Sequence, residues 1–325
     1  PPNTSASRTA YGIVFVLLSA VGLAAQNVIS RIFFVASELF GVIPFGGLVT
    51  PAIHNIVLLL ALRMAMMALL LSLLTPLLYP NTFAELRRLS TSVRLLGACV
   101  GSTLCIFVGL MFLYCSLSQV SAGIAIAAFF IYPAITVLLS WLLLRQQPRP
   151  YQFILMVMIS FGIVLTNLTT NLAPASNLTN GTLAGLAAGL CFGLYGIFAE
   201  LSLQGLPLVI HPVPFSLFTF VGVAVAATAS LFVMPPIEIA LSAWPLILGT
   251  TLFSASVTML AYILNNFGIQ YIGATLTALI SASAPALTAF FAWWILQESL
   301  SPQQCWGIGI VTAGVAILSI KTKSK

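Results

Sequence analysis

Between Arg94 and Arg145 the chain carries no Asp, Glu, Lys or Arg, and there is none again between Arg149 and Glu200. Uncharged runs of this length cannot form the surface of a water-soluble domain, where about a quarter of residues are charged. Here 5% of residues are charged and 60% are hydrophobic. A helix needs about 20 consecutive apolar residues to cross a bilayer, so the runs predict membrane-crossing helices. A β-barrel would show short alternating segments instead, and that pattern is absent. The expected class is therefore an all-α integral membrane protein, with the lipid bilayer as its first partner.

The apolar runs divide into ten expected spans, near residues 11–36, 55–79, 93–115, 118–144, 150–168, 182–203, 213–234, 243–267, 270–296 and 302–320. Short joints at 115–118 and 267–270 imply antiparallel hairpins. The segments Ser37–His54 and Thr169–Gly181 read as loops, and the second divides the chain. With a cytoplasmic N-terminus, Arg8, Arg87, Arg88, Arg94, Arg145, Arg149, Lys321, Lys323 and Lys325 all fall on the cytoplasmic side. Arg31 and Arg63 lie inside spans, and no external loop holds a cation. That is the positive-inside bias, and it predicts that both termini are cytoplasmic. The net charge of +6 is accounted for by topology, and no nucleic-acid partner is expected.

A shift of 152 positions lays Pro133 on Pro285, Trp141 on Trp293, Pro150 on Pro302 and Gly162 on Gly314 without a gap. The same register sets Gly97 on Gly249 and Ser102 on Ser254. The chain thus reads as two five-helix copies, residues 1–168 and 182–325, joined by an external linker at 169–181. An odd number of helices per copy makes the second enter the membrane from the opposite side. Inverted repeats of this kind are characteristic of transporters.

Polar groups at membrane depth face protein or water. Ser19, Gly22, Gln26 and Ser30 share one helical face, with Asn27 beside it. Thr277, Ser281, Pro285 and Thr288 form another such stripe with Ser283 adjacent; Ser254, Ser256 and Thr258 lie in the eighth span, and Tyr114, Tyr132 and Tyr195 complete the candidates for a substrate cavity. Two readings stay open for each: a hydrogen-bonding cavity, or hydroxyls bonded to their own helices and tyrosines at the interface. Arg63 would lie roughly 12 Å into its helix at 1.5 Å per residue, facing carbonyls, water or an anionic substrate group. Glu200 reads either as a solvated carboxylate or as a proton-coupling group. Pro133 and Pro285 are expected to bend their helices and free carbonyls. The glycine series 185, 189, 193 and the series Gly97, Gly101, Cys105, Gly109 read as close-packing seams. The five cysteines and two histidines form no metal-ligand spacing, so no metal or cofactor is expected.

The stretch from Leu264 to Leu318, with Pro285, Glu298, Gln304, Gly307 and Gly314, resembles the closing half of an EamA-type member of the drug/metabolite transporter superfamily. The earlier stretch SQVSAGIAIAAFFIYPAITVLLSWLLL follows the same frame. The resemblance implies ten helices in two inverted repeats, a cavity lined mainly by helices 1, 3, 4, 6, 8 and 9, and export or exchange of small metabolites, often amino acids. Two departures stand out. Arg145 and Gln146 occupy the place where the first copy usually ends on Glu, and the usual helix-1 aromatic is missing near Gly22.

Together these readings predict a secondary transporter working by alternating access on a small neutral or zwitterionic metabolite, an amino acid first. It would sit in a bacterial inner membrane as a monomer or homodimer. The alternatives are a nucleotide-sugar or drug carrier, or a non-transporting channel or sensor. No nucleophile–base pair is readable, so an enzyme is not expected.

Overall fold

The computed structural model describes residues 5–34, 36–50, 52–119, 128–167, 178–235, 239, 243–297 and 302–323. In α1 (Ser5–Phe34) the usual polarity is reversed: Ser19 and Gln26 are buried, while Val14, Leu18 and Val21 on the opposite side are exposed. Water would penalise that arrangement, but hydrocarbon favours it. In α2 (Ile53–Leu78), Leu69, Leu73 and Leu77 lie one turn apart on an exposed face. Val57, Leu60, Met64, Met67 and Leu71 fill the core on the other face. Such exposed apolar stripes are what a lipid-facing surface requires.

A short helix α3 (Thr82–Arg88) and a 3-10 turn (Leu89–Thr91) lead into α4 (Val93–Gln119). Helix α5 covers Tyr132–Leu144 and α6 covers Pro150–Asn167. Helix α7 (Leu178–Glu200) ends in a π turn, Leu201–Gly205, and α8 spans Pro212–Leu231. The last three helices are α9 (Trp244–Ser281), α10 (Ala284–Leu296) and α11 (Pro302–Lys323). Among the described residues, six helices are long and apolar enough to cross a membrane, and four shorter apolar helices accompany them.

Several expected boundaries move. The joint placed at 267–270 is helical; the interruption falls at Gly273, with φ 79° and ψ 165°. That region is essentially closed to side chains, so a glycine at this position lets the chain turn here. The expected span 270–296 is divided by a two-residue turn at Ala282–Ser283. Residues 120–127 of the expected span 118–144 lie outside the described residues. Within the expected loop 37–54, strands β1 (Ala36–Leu39) and β2 (Ile43–Gly46) pair antiparallel, with Ala36 opposite Gly46 and Leu39 opposite Ile43. This hairpin departs from the all-α expectation. Phe40 and Gly41 turn it at positive φ, and the Phe40 N–H donates to Ile295 O at 2.7 Å. The hairpin is thereby fixed over the end of α10.

The shift of 152 positions reappears in the backbone. Helices α5 and α10 have 13 residues each and follow a short turn, with proline as their second residue. They end on Arg145 (φ 55°) and Gln297 (φ 54°), whose N–H groups bond Ser140 O and Ala292 O. Pro133 and Pro285 therefore start helices after a break, where proline lacks nothing it would otherwise donate; they do not bend continuous ones. The carbonyl freed at Phe129 abuts α7: a Cβ on Gly189 would meet Phe129 O at 2.8 Å, and one on Gly193 would meet Ile135 Cγ2 at 2.6 Å. The seam expected along α7 is close at Gly189 and Gly193. The α4 seam closes at Gly101 and Gly109 but is open at Gly97.

The most extensive helix pairings are α1 with α9, α4 with α7, α2 with α8 and α6 with α11. Each joins an element before residue 168 to one after 178. One buried cluster unites α2, α4, α7, α8 and α9. A second unites α1, α5, α6, α9, α10 and α11. The space between α1, α2, α4 and α9 holds the site.

Candidate functional site

Gln26 is the hub of a buried polar seam between α1 and α9. Its Oε1 accepts hydrogen bonds from Ser254 Oγ and from Thr258 Oγ1, the latter at 2.8 Å. Its Nε2 donates to Ser30 Oγ at 2.7 Å. An amide has both a donor and an acceptor end to satisfy, and hydroxyls on two helices do so here. Four residues past Gln26, Ser30 opens onto a cavity of about 50 Å³, together with Arg63 of α2, Tyr114 of α4, and Thr251 and Ser254 of α9. Phe33, Ile56, Leu59 and Leu60 form its apolar side.

Arg63 is the eleventh residue of α2, about 15 Å from the helix start at 1.5 Å per residue. Its terminal nitrogens reach Ser30 Oγ at 3.5 Å and Tyr114 OH at 3.4 Å, both at the long limit of a hydrogen bond. Its Nε is buried without a partner, as is Thr251 Oγ1. Among the described residues no carboxylate pairs with Arg63. A cation at this depth without an anion is costly.

The structure gathers Gln26, Arg63, Tyr114 and Ser254 of the expected cavity residues at this place. The other residues separate. Tyr195 OH donates to Asn266 Oδ1 at 2.9 Å, and Asn266 Nδ2 donates to Ser216 Oγ at 2.9 Å, a buried chain across α7, α9 and α8. Tyr132 stands in an aromatic group with Phe129 and Phe192, ring centroids 5.4 and 6.3 Å away. Phe192 and Tyr195 continue the group at 6.4 Å. Ser281 Oγ donates to Asn265 Oδ1 at 3.3 Å. Asn27 points to another face, donating to Thr288 Oγ1 at 3.1 Å. Ser283 bonds the Ile280 carbonyl of its own chain turn. Thr258 belongs to the expected set, whereas Thr251, Asn265 and Asn266 do not. The Asn265–Asn266 pair inside an apolar span is the signal that could have found the last two.

Glu200 is not solvated. It is 3% exposed; Oε1 accepts from Gln146 Nε2 at 2.6 Å and Oε2 from the Ala274 N–H at 2.7 Å. The carboxylate thus caps the helical segment that begins after Gly273, where an anion is favoured. It also ties α7 to the loop after α5. No group of His, Cys, Asp or Glu able to hold a metal occurs among the described residues.

The sequence pattern of the EamA-like transporter family matches this chain over residues 10–168 and again over 179–320. The chain belongs to the EamA-like transporter family. A relative from Synechocystis sp. (strain ATCC 27184 / PCC 6803 / Kazusa), named uncharacterized transporter sll1319, is 35% identical over 315 residues, 96% of this chain and 94% of its own length. A protein of known crystal structure covers 98% of this chain and 100% of its own, with a TM-score of 0.66 and 17% identity. That likeness shows the fold. Within the EamA-like family, which belongs to the drug/metabolite transporter superfamily, the chain is a multi-pass membrane transporter. The Arg63 cavity lies where elements from both matched stretches meet.

Proposed function

We propose that this EamA-family protein is a secondary transporter that exports or exchanges a small neutral or zwitterionic metabolite, an amino acid first, by alternating access. The observation that carries the reading is the buried polar cavity at the contact of the two halves, with Ser30, Arg63 and Tyr114 from one and Thr251 and Ser254 from the other. A site shared by two bodies can be uncovered from either side when they rock against each other. Ten spans in two inverted repeats, cytoplasmic termini and a bacterial inner membrane complete the proposal. The pairing α1–α9 mirrored by α4–α7 supports it, because a two-fold axis exchanges those contacts.

The test is counterflow in proteoliposomes. Vesicles preloaded with unlabelled amino acid should take up labelled amino acid faster than empty vesicles, and uptake should saturate. Flux that rises linearly with concentration, without stimulation by preloading, would count against a carrier and favour a channel.

A further inference from the structure

We infer that the Arg63 cavity recognises a carboxylate group, so that the cargo is a small carboxylate-bearing molecule whose amino group is dispensable for binding. The inference rests on the reading of this cavity as the transport site. It follows from the direction of every polar group around the space. Gln26 Oε1, the strongest nearby acceptor, is already used by Ser254 and Thr258. Ser30 Oγ accepts from Gln26 and from Arg63, which leaves its own hydrogen to give. Tyr114 OH accepts from Arg63 and has its hydrogen to give as well. Thr251 Oγ1, on a residue only 2% exposed, has no partner. Arg63 adds a buried, unpartnered Nε–H.

The cavity therefore offers hydrogen-bond donors and one positive charge. An ammonium group would find hydroxyl oxygens to accept from it, but among the described residues no carboxylate faces this space to balance its charge. Glu200, the carboxylate placed within the bundle, has both oxygens occupied at a different site. A carboxylate has two acceptor oxygens and pairs with a guanidinium in a fork. At about 50 Å³ the space suits a carboxylate head, with Phe33, Ile56, Leu59 and Leu60 beside a short apolar substituent. A phosphate ester would bring a second negative charge against a single cation.

Matched ligands test this on the purified full chain by thermal shift and equilibrium binding. The panel is acetate, propanoate, 2-oxopropanoate, alanine, 4-methylpentanoate and leucine, against acetamide, propanamide, alaninamide and leucinamide. Carboxylates with and without an amino group should stabilise the wild type, and the amides should not. Arg63→Gln should weaken binding at least tenfold, and Thr251→Val should weaken it by a smaller factor while keeping the charge. Amides that bind as well as their acids, or a panel in which no carboxylate binds, would overturn the inference without any variant having to fold. Saturable counterflow of an uncharged compound with no carboxylate binding would leave transport standing and remove the carboxylate site. Arg63-dependent carboxylate binding without counterflow of any panel member would do the reverse.

Discussion

At the scale of single residues, one glutamine and its neighbour divide two roles that their adjacency conceals. Gln26 and Asn27 are successive residues of α1, yet one reaches α9 and the other reaches α10. Gln26→Ala removes the acceptor for two buried hydroxyls, each of which costs about 1–3 kcal/mol when left unsatisfied. Thr258 can give its one hydrogen to the Ser254 carbonyl instead, so the loss is expected near the lower end. A melting curve in detergent should fall, and transport should fall with it. Asn27→Ala should leave both nearly unchanged, because its bond is exposed. Equal losses in the two variants would contradict the separation of faces. Glu200 gives a second contrast. Glu200→Gln keeps the shape but loses the charge that accepts from the Ala274 N–H, a charge-assisted bond of about 1.5–3 kcal/mol. The variant should melt earlier, and counterflow should persist if Glu200 is a clasp. Loss of pH-driven uptake with counterflow intact would instead identify proton coupling.

At the scale of elements, the junction of α2, α3 and α8 contains a titratable cap. His211 precedes α8; its Nδ1 accepts from the Val213 N–H at 3.3 Å, and its ring stacks on Tyr79 with centroids 4.0 Å apart. Glu85 accepts from Tyr79 OH at 2.5 Å and from the His211 N–H at 2.9 Å. The Glu85 hydrogen bond holds the Tyr79 phenol above its ordinary range. Burial pushes the His211 imidazole below its ordinary value, against the weaker opposite pull of Glu85. The unfolded chain then binds a proton more readily than the folded one, so stability rises with pH through this window. The contribution is complete above the ordinary histidine value of about 6.5 and is lost as pH falls below it. Protonation also removes the lone pair that caps α8 and places a cation at its N-terminus. Melting temperature should therefore drop between about pH 7.5 and 5.5. His211→Asn, a good cap that does not titrate, should flatten that slope.

Much at this scale was readable beforehand. The paired prolines 133 and 285 located both broken helices, because proline spacing is a local property of the chain. The turn at Gly273 was misplaced by a few residues, since nothing local distinguishes Gly268 from Gly273. The site was readable only in part. Polar residue types at membrane depth pointed to Gln26, Arg63, Tyr114 and Ser254. Their separation from Tyr132, Tyr195 and Ser283 depends on helix rotation set by packing, which one chain does not reveal.

At the scale of the whole molecule, orientation can be read from cysteine chemistry. Among the free cysteines only Cys305 is exposed, and it lies near the start of α11. With cytoplasmic termini it stands at the external face, so a membrane-impermeant maleimide should label intact cells at Cys305 and not label a Cys305→Ser variant. Labelling only after the membrane is opened would reverse the topology. The packing carries a further consequence. Each of the most extensive helix pairings joins one half to the other, so neither half owns a core. Each half is therefore expected to need the other in order to fold. Genes for residues 1–168 and 178–325, expressed together, should yield a complex that co-purifies and catalyses counterflow. Either gene alone should yield a product that the cell degrades.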